Sequence, residues 1–191
     1  MKILFMGDLH GSAPRTRQLL DVAEKHHVDM IALLGDILYH GPRNPMTEGY
    51  DPKSTAQMLN QWKHRIVAVR GNCDGEVDQT LLEFPMRSDF AWLVVEGKRI
   101  FLTHGHLWNP ESLPPLVPGD VFAYGHVHYP SARMENGIHI WNPGCPCLPK
   151  DGSVAGYGMY ENGQFRAVDM EGETIMEDCL FPSSMNERKS A

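Results

Sequence analysis

The chain opens with an apolar run, Lys2–Met6, that stops abruptly at Gly7-Asp8. A short apolar run bounded by a turn signal predicts a buried strand. A second run, Val28–Leu34, ends the same way at Gly35-Asp36, and a third, Ile66–Val69, ends before Gly71-Asn72. Between these runs the period changes to that of a helix. Ser12 and Pro14 open the first helix, because the missing N–H of proline has no helical partner in a first turn. Leu19, Leu20, Val22 and Ala23 then supply its apolar stripe. Asp51-Pro52 predicts the start of a second helix, an N-cap followed by proline at the first helical position, with Ala56, Leu59 and Trp62 on one face.

The second half reads almost entirely as strands: Phe90–Val95, Arg99–Thr103, Val121–Tyr124, Ser131–Glu135, Ile138–Trp141, Ala155–Tyr160 and Gln164–Asp169. Glu96-Gly97, Asn136-Gly137 and Asn162-Gly163 are hairpin signals, since asparagine and glycine tolerate positive φ. Leu107 to Gly119 holds Pro110, Pro114, Pro115 and Pro118 and reads as a stiff surface excursion. The pattern predicts an α/β class: an α/β unit merged with a β-rich unit, two facing sheets with helices outside. No composition break divides the chain, so residues 1–180 are expected to form one domain and the polar 181–191 a frayed tail.

Composition narrows the class. Hydrophobic residues make up 42% and charged residues 21% of 191, which excludes a disordered chain. No apolar stretch is long enough to span a bilayer, and the Met1–Phe5 run is too short for a signal peptide, so a cytoplasmic location and no membrane partner are expected. The formal net charge of −7 disfavours nucleic acid and anionic membranes. It does not exclude an anionic substrate, because bound cations can dominate a local field. Cys73, Cys145, Cys147 and Cys179 form no C-x-x-C pair and read as free thiols.

Chemistry concentrates in five segments: Gly7-Asp8-Leu9-His10-Gly11, Gly35-Asp36, Gly71-Asn72-Cys73-Asp74, His104-Gly105-His106 and Gly125-His126-Val127-His128. Each follows a predicted strand, and in open α/β sheets ligands gather beyond the carboxyl ends of strands. In extended chain, residues two apart point to one side, so Asp8 with His10, and His126 with His128, are each expected to aim two ligand atoms at one place. Asp8, His10, Asp36, Asn72, His104, His126 and His128 supply two carboxylates, four imidazoles and one amide. That nitrogen/oxygen set suits manganese, zinc, iron or nickel. Seven donors exceed what one catalytic metal with an open position takes, and fit two. His26, His27, His64 and His139 lack ligand spacing.

The ordered set D-x-H, G-D, G-N-x-D, H-G-H and G-H-x-H resembles the calcineurin-like metallophosphoesterase superfamily. The stretch Asp36–Asn44, with Arg70–Asp74, Phe101–His106 and Asn142-Pro143-Gly144, looks like the bacterial YfcE-type phosphodiesterases, over roughly residues 1–170. The resemblance implies a four-layer α/β/β/α sandwich of two mixed sheets flanked by helices. It implies two divalent ions, manganese first. One would be held by Asp8, His10, Asp36 and His128, the other by Asp36, Asn72, His104 and His126, with Asp36 bridging. It further implies hydrolysis of a small phosphodiester by in-line attack of a metal-bridging hydroxide, with Asp36, Asn72 and His104 carrying catalysis. A homo-dimer or tetramer is plausible by the same likeness.

Several residues stand outside that scheme. Cys73 occupies the position after Asn72 where many superfamily members place an acid histidine. Beside two dications its thiol is expected to shift toward thiolate and make a poor acid. Arg43 is a candidate phosphate clamp and His106 a candidate substrate contact. Cys145 stands where the family often has serine. Two alternatives stay open: a phosphomonoesterase or nucleotidase with the same metals, and a metal-binding scaffold for other proteins.

Overall fold

Three parallel strands, β1 (Lys2–Met6), β2 (Met30–Leu33) and β3 (Ile66–Ala68), lie side by side in a computed structural model that describes residues 1–181. The tail expected beyond Phe181 lies outside the described residues. The crossovers between these strands carry helices α1 (Ala13–Lys25) and α2 (Pro52–Asn60). Asp51 caps α2 as its sequence predicts, accepting the Ser54 amide at 3.0 Å. At α1, Ser12 takes the N-cap position but makes no cap bond; its hydroxyl donates to the Glu48 carbonyl at 3.0 Å instead.

The β-rich half contributes to both sheets. β4 (Phe90–Val95), β5 (Lys98–Thr103), β6 (Val121–Ala123), β7 (Pro130–Glu135) and β8 (Ile138–Pro143) form a five-stranded sheet in the order β4-β5-β6-β8-β7. β9 (Gly156–Glu161), β10 (Gln164–Asp169) and β11 (Thr174–Cys179) return beside β1, completing a six-stranded sheet in the order β11-β10-β9-β1-β2-β3. All three expected hairpin dipeptides turn with positive φ at both residues: 52° and 77° at Glu96-Gly97, 51° and 79° at Asn136-Gly137, 51° and 80° at Asn162-Gly163.

Alternation along β1 shows how the layers divide. Leu4 and Met6 face α1 and α2, packing with Leu19, Ala23 and Leu59. Ile3 and Phe5 face the second sheet, among Ile100, Val121 and Trp141. The Phe5 ring meets Trp141 and Phe165 edge-on, with centroids 6.0 and 5.6 Å away. Each such fully buried side chain contributes about 1.5–3 kcal/mol relative to exposure. The two facing mixed sheets stand as expected, but among the described residues both α-helices lie on one outer face, and the other carries loop instead of a helical layer. There Phe101, Phe122 and Ile140 are covered by Trp108, Leu113 and Leu116 of the proline-rich excursion. Four prolines between Leu107 and Gly119 prevent a helix there.

β11 is a strand that the hydrophobic pattern does not predict. It is an edge strand whose residues are exposed or half-buried, so it carries no apolar alternation. Its Asp178 anchors it by accepting from His139 Nδ1 at 2.6 Å and Trp141 Nε1 at 2.7 Å.

Candidate metal centre

Parallel pairing decides where the chemistry collects. β1, β2 and β3 run together, as do β5 and β6 in the facing sheet. Their carboxyl ends therefore deliver Asp8, Asp36, Asn72, His104 and His126 to one edge of the sandwich. Beyond the strands the loops continue to zip together: the Asp8, His10 and Gly11 amides donate to the Gly35, Asp36 and Ile37 carbonyls, each at 2.9 Å. Gly35, at φ 88°, has no room for a side chain, since a Cβ would lie 2.5 Å from the Gly71 nitrogen and 2.9 Å from His104 Nδ1.

The backbone here is not extended. Asp8, His10, Asp36, His126 and His128 have φ of 53°, 45°, 53°, 70° and 65°, which places all five in the left-handed region. That conformation costs about 1–2 kcal/mol per residue and clusters at functional sites. The expectation that D-x-H and H-x-H pairs converge because extended chain alternates is therefore corrected. Asp8 and His10 do converge, through left-handed turns. His126 and His128 diverge: His126 packs against the His104 ring at 5.0 Å, and His128 against the His10 ring at 5.2 Å.

Three overlapping groups result among the described residues, one of them His10, Asp36 and Cys73. Asp8, His10 and His128 have ligand atoms within 4.8 Å of one another, and so do Asp8, Asp36 and His104. His128 Nε2 lies 3.3 Å from Asp8 Oδ1 and 3.4 Å from His10 Nε2. His104 Nε2 lies 3.4 Å from Asp36 Oδ2 and 3.1 Å from Asn72 Oδ1, while His10 Nε2 is 3.8 Å from Asp36 Oδ2. Asp8 and Asp36 each belong to two of the groups, and Asp36 Oδ2 faces both His10 and His104. Three imidazoles are oriented alike. His10, His104 and His128 present Nδ1 to the carbonyls of Tyr39, Leu34 and Leu148 at 2.9, 2.7 and 2.8 Å. Donation there turns each Nε2 inward, as in metal-ligating histidines.

The charges fit a cation site. Burial pushes the Asp8 carboxyl up, but its contact with His128 and the charges of His104 and His128 outweigh that and hold it below the usual range. Asp36 behaves alike, with His104 the main opposing partner, and lies well below the usual range. Burial lowers both His104 and His128, yet Asp36 and Asp8 overcome it and raise them to about 9 and about 10. His10 and His126 are lowered, mainly by burial. Two protons thus sit among the carboxylates where cations are favoured. Asp8 Oδ1 is buried without a hydrogen-bond partner, because its contact with His128 is an ion pair lacking hydrogen-bond alignment. An orphaned carboxylate oxygen facing inward Nε2 atoms matches the donor chemistry of a divalent metal.

Supporting residues explain other parts of the motifs. Asp74 accepts the amides of Asp36 and Gly71 at 2.8 Å and of Ile37 at 2.7 Å, stapling the loops after β2 and β3. Asn142 donates to the Gly125 carbonyl and accepts from the Gly144 amide, both at 2.9 Å, which holds the loop that carries His126. The expectation for Cys73 concerns the metal-loaded site. In the metal-free protein burial, then the Asp36 carboxylate, push its thiol up to about 12, so it keeps its proton.

A cleft of about 550 Å³ opens over the cluster, lined by Asp36, Tyr39, Arg43, Asn72, Cys73, His126, His128 and Lys150 among others. Arg43 is therefore at the site. Tyr39 and Lys150 are additions; Lys150 belongs to none of the metal motifs, and its place in the fold reveals it. His106 lines a separate, smaller pocket of about 220 Å³ with Tyr129 and Arg133, sharing only His126 with the cleft. A groove of about 740 Å³ between the end of α1 and Trp62 gathers none of these ligands.

Residues 1–163 match the calcineurin-like phosphoesterase superfamily domain. Phosphodiesterase YfcE of Escherichia coli strain K12 is 44% identical over 176 residues, covering 92% of this chain and 96% of that protein. Phosphodiesterase MJ0936 of Methanocaldococcus jannaschii is 24% identical over 156 residues, covering 77% and 85%. The solved structure of YfcE, a phosphoesterase from E. coli, superposes with a TM-score of 0.93 at 42% identity, over 94% of this chain and all of that one. By its match over most of its length and its 44% identity to such a relative, the chain belongs to the calcineurin-like phosphoesterase superfamily.

Proposed function

We propose that this protein is a two-metal-dependent phosphodiesterase acting on a small diester. The observation that carries the proposal is the inward convergence of Nε2 atoms from His10, His104 and His128 on Asp8 and Asp36, with Asp8 Oδ1 left without a hydrogen bond. Likeness to proteins named phosphodiesterases supports it. Asp8, His10, Asp36 and His128 would hold one ion, and Asp36, Asn72, His104 and His126 the other. Manganese is the leading choice, and zinc, iron or nickel suit the same donors. When bound, such ions supply Lewis acidity and bring the pKa of water toward neutrality.

The chain's own residues do the rest. Carbonyls behind three imidazoles keep the ligands aimed before any ion arrives. Arg43 and Lys150 bring positive charge to a cleft whose protein is acidic overall. Its volume of about 550 Å³ is that of a small-molecule site. Cys73 lines the cleft at the position where many superfamily members place an acid histidine, and a site without that histidine favours diesters with good leaving groups. Among the described residues no helix is long and apolar enough to cross a membrane. Four free cysteines support a reducing, cytoplasmic setting as part of this proposal.

The test is metal add-back. Chelator-stripped protein receives manganese, zinc, iron, nickel or magnesium singly, and bis-p-nitrophenyl phosphate is compared with p-nitrophenyl phosphate. Metal-restored cleavage favouring the diester is expected. Faster monoester cleavage would make the protein a phosphatase, and folded protein inert with every metal would make it a scaffold.

A further inference from the structure

Cys145 and Cys147 lie behind the metal centre rather than in it. After β8 the chain bends over Pro146–Leu148, which folds the two thiols toward each other, Sγ to Sγ 4.0 Å. Both point at one group. Cys145 Sγ is 3.3 Å and Cys147 Sγ 3.1 Å from the Asp8 carbonyl oxygen, and Cys147 Sγ is also 3.3 Å from the Leu9 carbonyl. The Leu148 amide donates to Cys145 Sγ at 3.2 Å, fixing that sulfur in place. Cys145 is fully buried and Cys147 half-buried. The thiols therefore support the backbone of a residue held at φ 53°, whose side chain carries the unpaired oxygen of the site.

We propose that Cys145 and Cys147 form a reversible modification site, a dithiol that a peroxide converts to a disulfide, and that closing this bond loosens the metal held at Asp8. The second part rests on the metal-centre reading above. The chemistry balances with hydrogen peroxide as oxidant. Cys147, the more accessible sulfur, attacks one peroxide oxygen as its thiolate; the O–O bond breaks, and the departing hydroxide takes up the thiol's proton as water. Cys147 is left as a sulfenic acid. The Cys145 sulfur then attacks the Cys147 sulfur, the S–O bond breaks, and hydroxide leaves with the Cys145 proton as a second water. Two thiols are oxidised and one peroxide reduced to two waters.

The consequence is geometric. A disulfide requires about 2.05 Å between sulfurs, so the pair must close by roughly 2 Å. Closing consumes both S–H groups, and the Asp8 carbonyl loses both thiol donors at once. A buried carbonyl deprived of its partners favours rearrangement of a backbone already in a left-handed conformation. Partners one step behind a metal ligand are worth about 10–100-fold in metal affinity.

The experiment uses native full-length protein loaded with zinc, which has no redox chemistry of its own. It is exposed to hydrogen peroxide, then mapped by mass spectrometry under non-reducing conditions while bound zinc is measured after desalting. The expected result is a peptide carrying Cys145 and Cys147 lighter by two hydrogens, zinc retention weaker by about tenfold, and recovery of both on treatment with dithiothreitol. Cys147→Ser protein should keep its zinc under the same exposure. Absence of that disulfide, with only over-oxidised or intermolecular products, overturns the proposal. So does a disulfide that leaves zinc retention unchanged. Reduced protein that never binds zinc would instead count against the metal-centre reading, and the peptide map would still decide the modification.

Discussion

The two halves of the proposed metal centre differ in donors and in exposure: a carboxylate and two imidazoles on one side of Asp36, an amide and two imidazoles on the other. Asp8, His10 and His128 are all at most 2% exposed. Across Asp36, His104 is equally buried, but Asn72 is exposed and His126 half-buried, and both line the cleft. The inner half is part of the protein's core as much as part of its chemistry, and charges there must be compensated for the chain to fold well. The outer half can gain or lose a ligand at little cost to the fold, and it is where a substrate would arrive.

The sharpest break of this comparison is at Asp36, which the proposal places in both halves. Asp36→Ala should remove both metals and lower activity by well over the roughly 100-fold that loss of a supporting residue costs. One ion retained with native affinity, seen by elemental analysis, would show that the halves do not share this carboxylate.

Next come one substitution in each half. His128→Ala leaves the Asp8 carboxylate buried without its partner and should destabilise the metal-free protein by about 3 kcal/mol. Asn72→Ala, at an exposed position, should stay within about 0.5 kcal/mol. Each should still lose about one metal equivalent. Denaturant unfolding gives the first quantity, and equal stability losses would erase the distinction.

Titration sharpens it further. His104 and His128 are raised from an ordinary 6.5 to about 9 and about 10. The folded metal-free protein then binds more protons than the unfolded chain above pH 6.5. The stability these groups contribute is complete below about 6.5 and is lost as pH rises through 9 and 10. Metal must displace the same protons, so affinity should rise with pH and binding near neutrality should release protons. Calorimetry in buffers of different ionisation enthalpy reads that release. Binding without proton release would mean the imidazoles are neutral beforehand.

The smallest effect is expected at the rim. Lys150→Ala should raise KM for bis-p-nitrophenyl phosphate by about three- to tenfold with kcat little changed, because an exposed cation contributes equally to ground and transition states. A fall in kcat alone would give Lys150 a different role.

Much of the fold was legible because strands and helices leave local marks. Lys2–Met6 and Asp51-Pro52 declare a strand and a helix start from a few adjacent residues, and each is observed. The residue types of the centre were legible too, since motif and glycine recur after each strand. β11 was not: an exposed edge strand needs no apolar face, so no pattern marks it. Nor was Lys150, whose place in the cleft depends on the loop after β8.

The sequence by itself determined the class of chemistry, a nitrogen/oxygen donor set distributed over strand ends, and with it the family likeness. Only the tertiary structure decided how those donors are aimed. His126 and His128 part company because left-handed turns, one of them held by the His126 amide donating to the distant Asp8 carboxylate, override the alternation that spacing suggests. Spacing encodes conformation only while the backbone is regular. At this site the backbone is irregular, and the bonds that keep it so join residues that no local window contains.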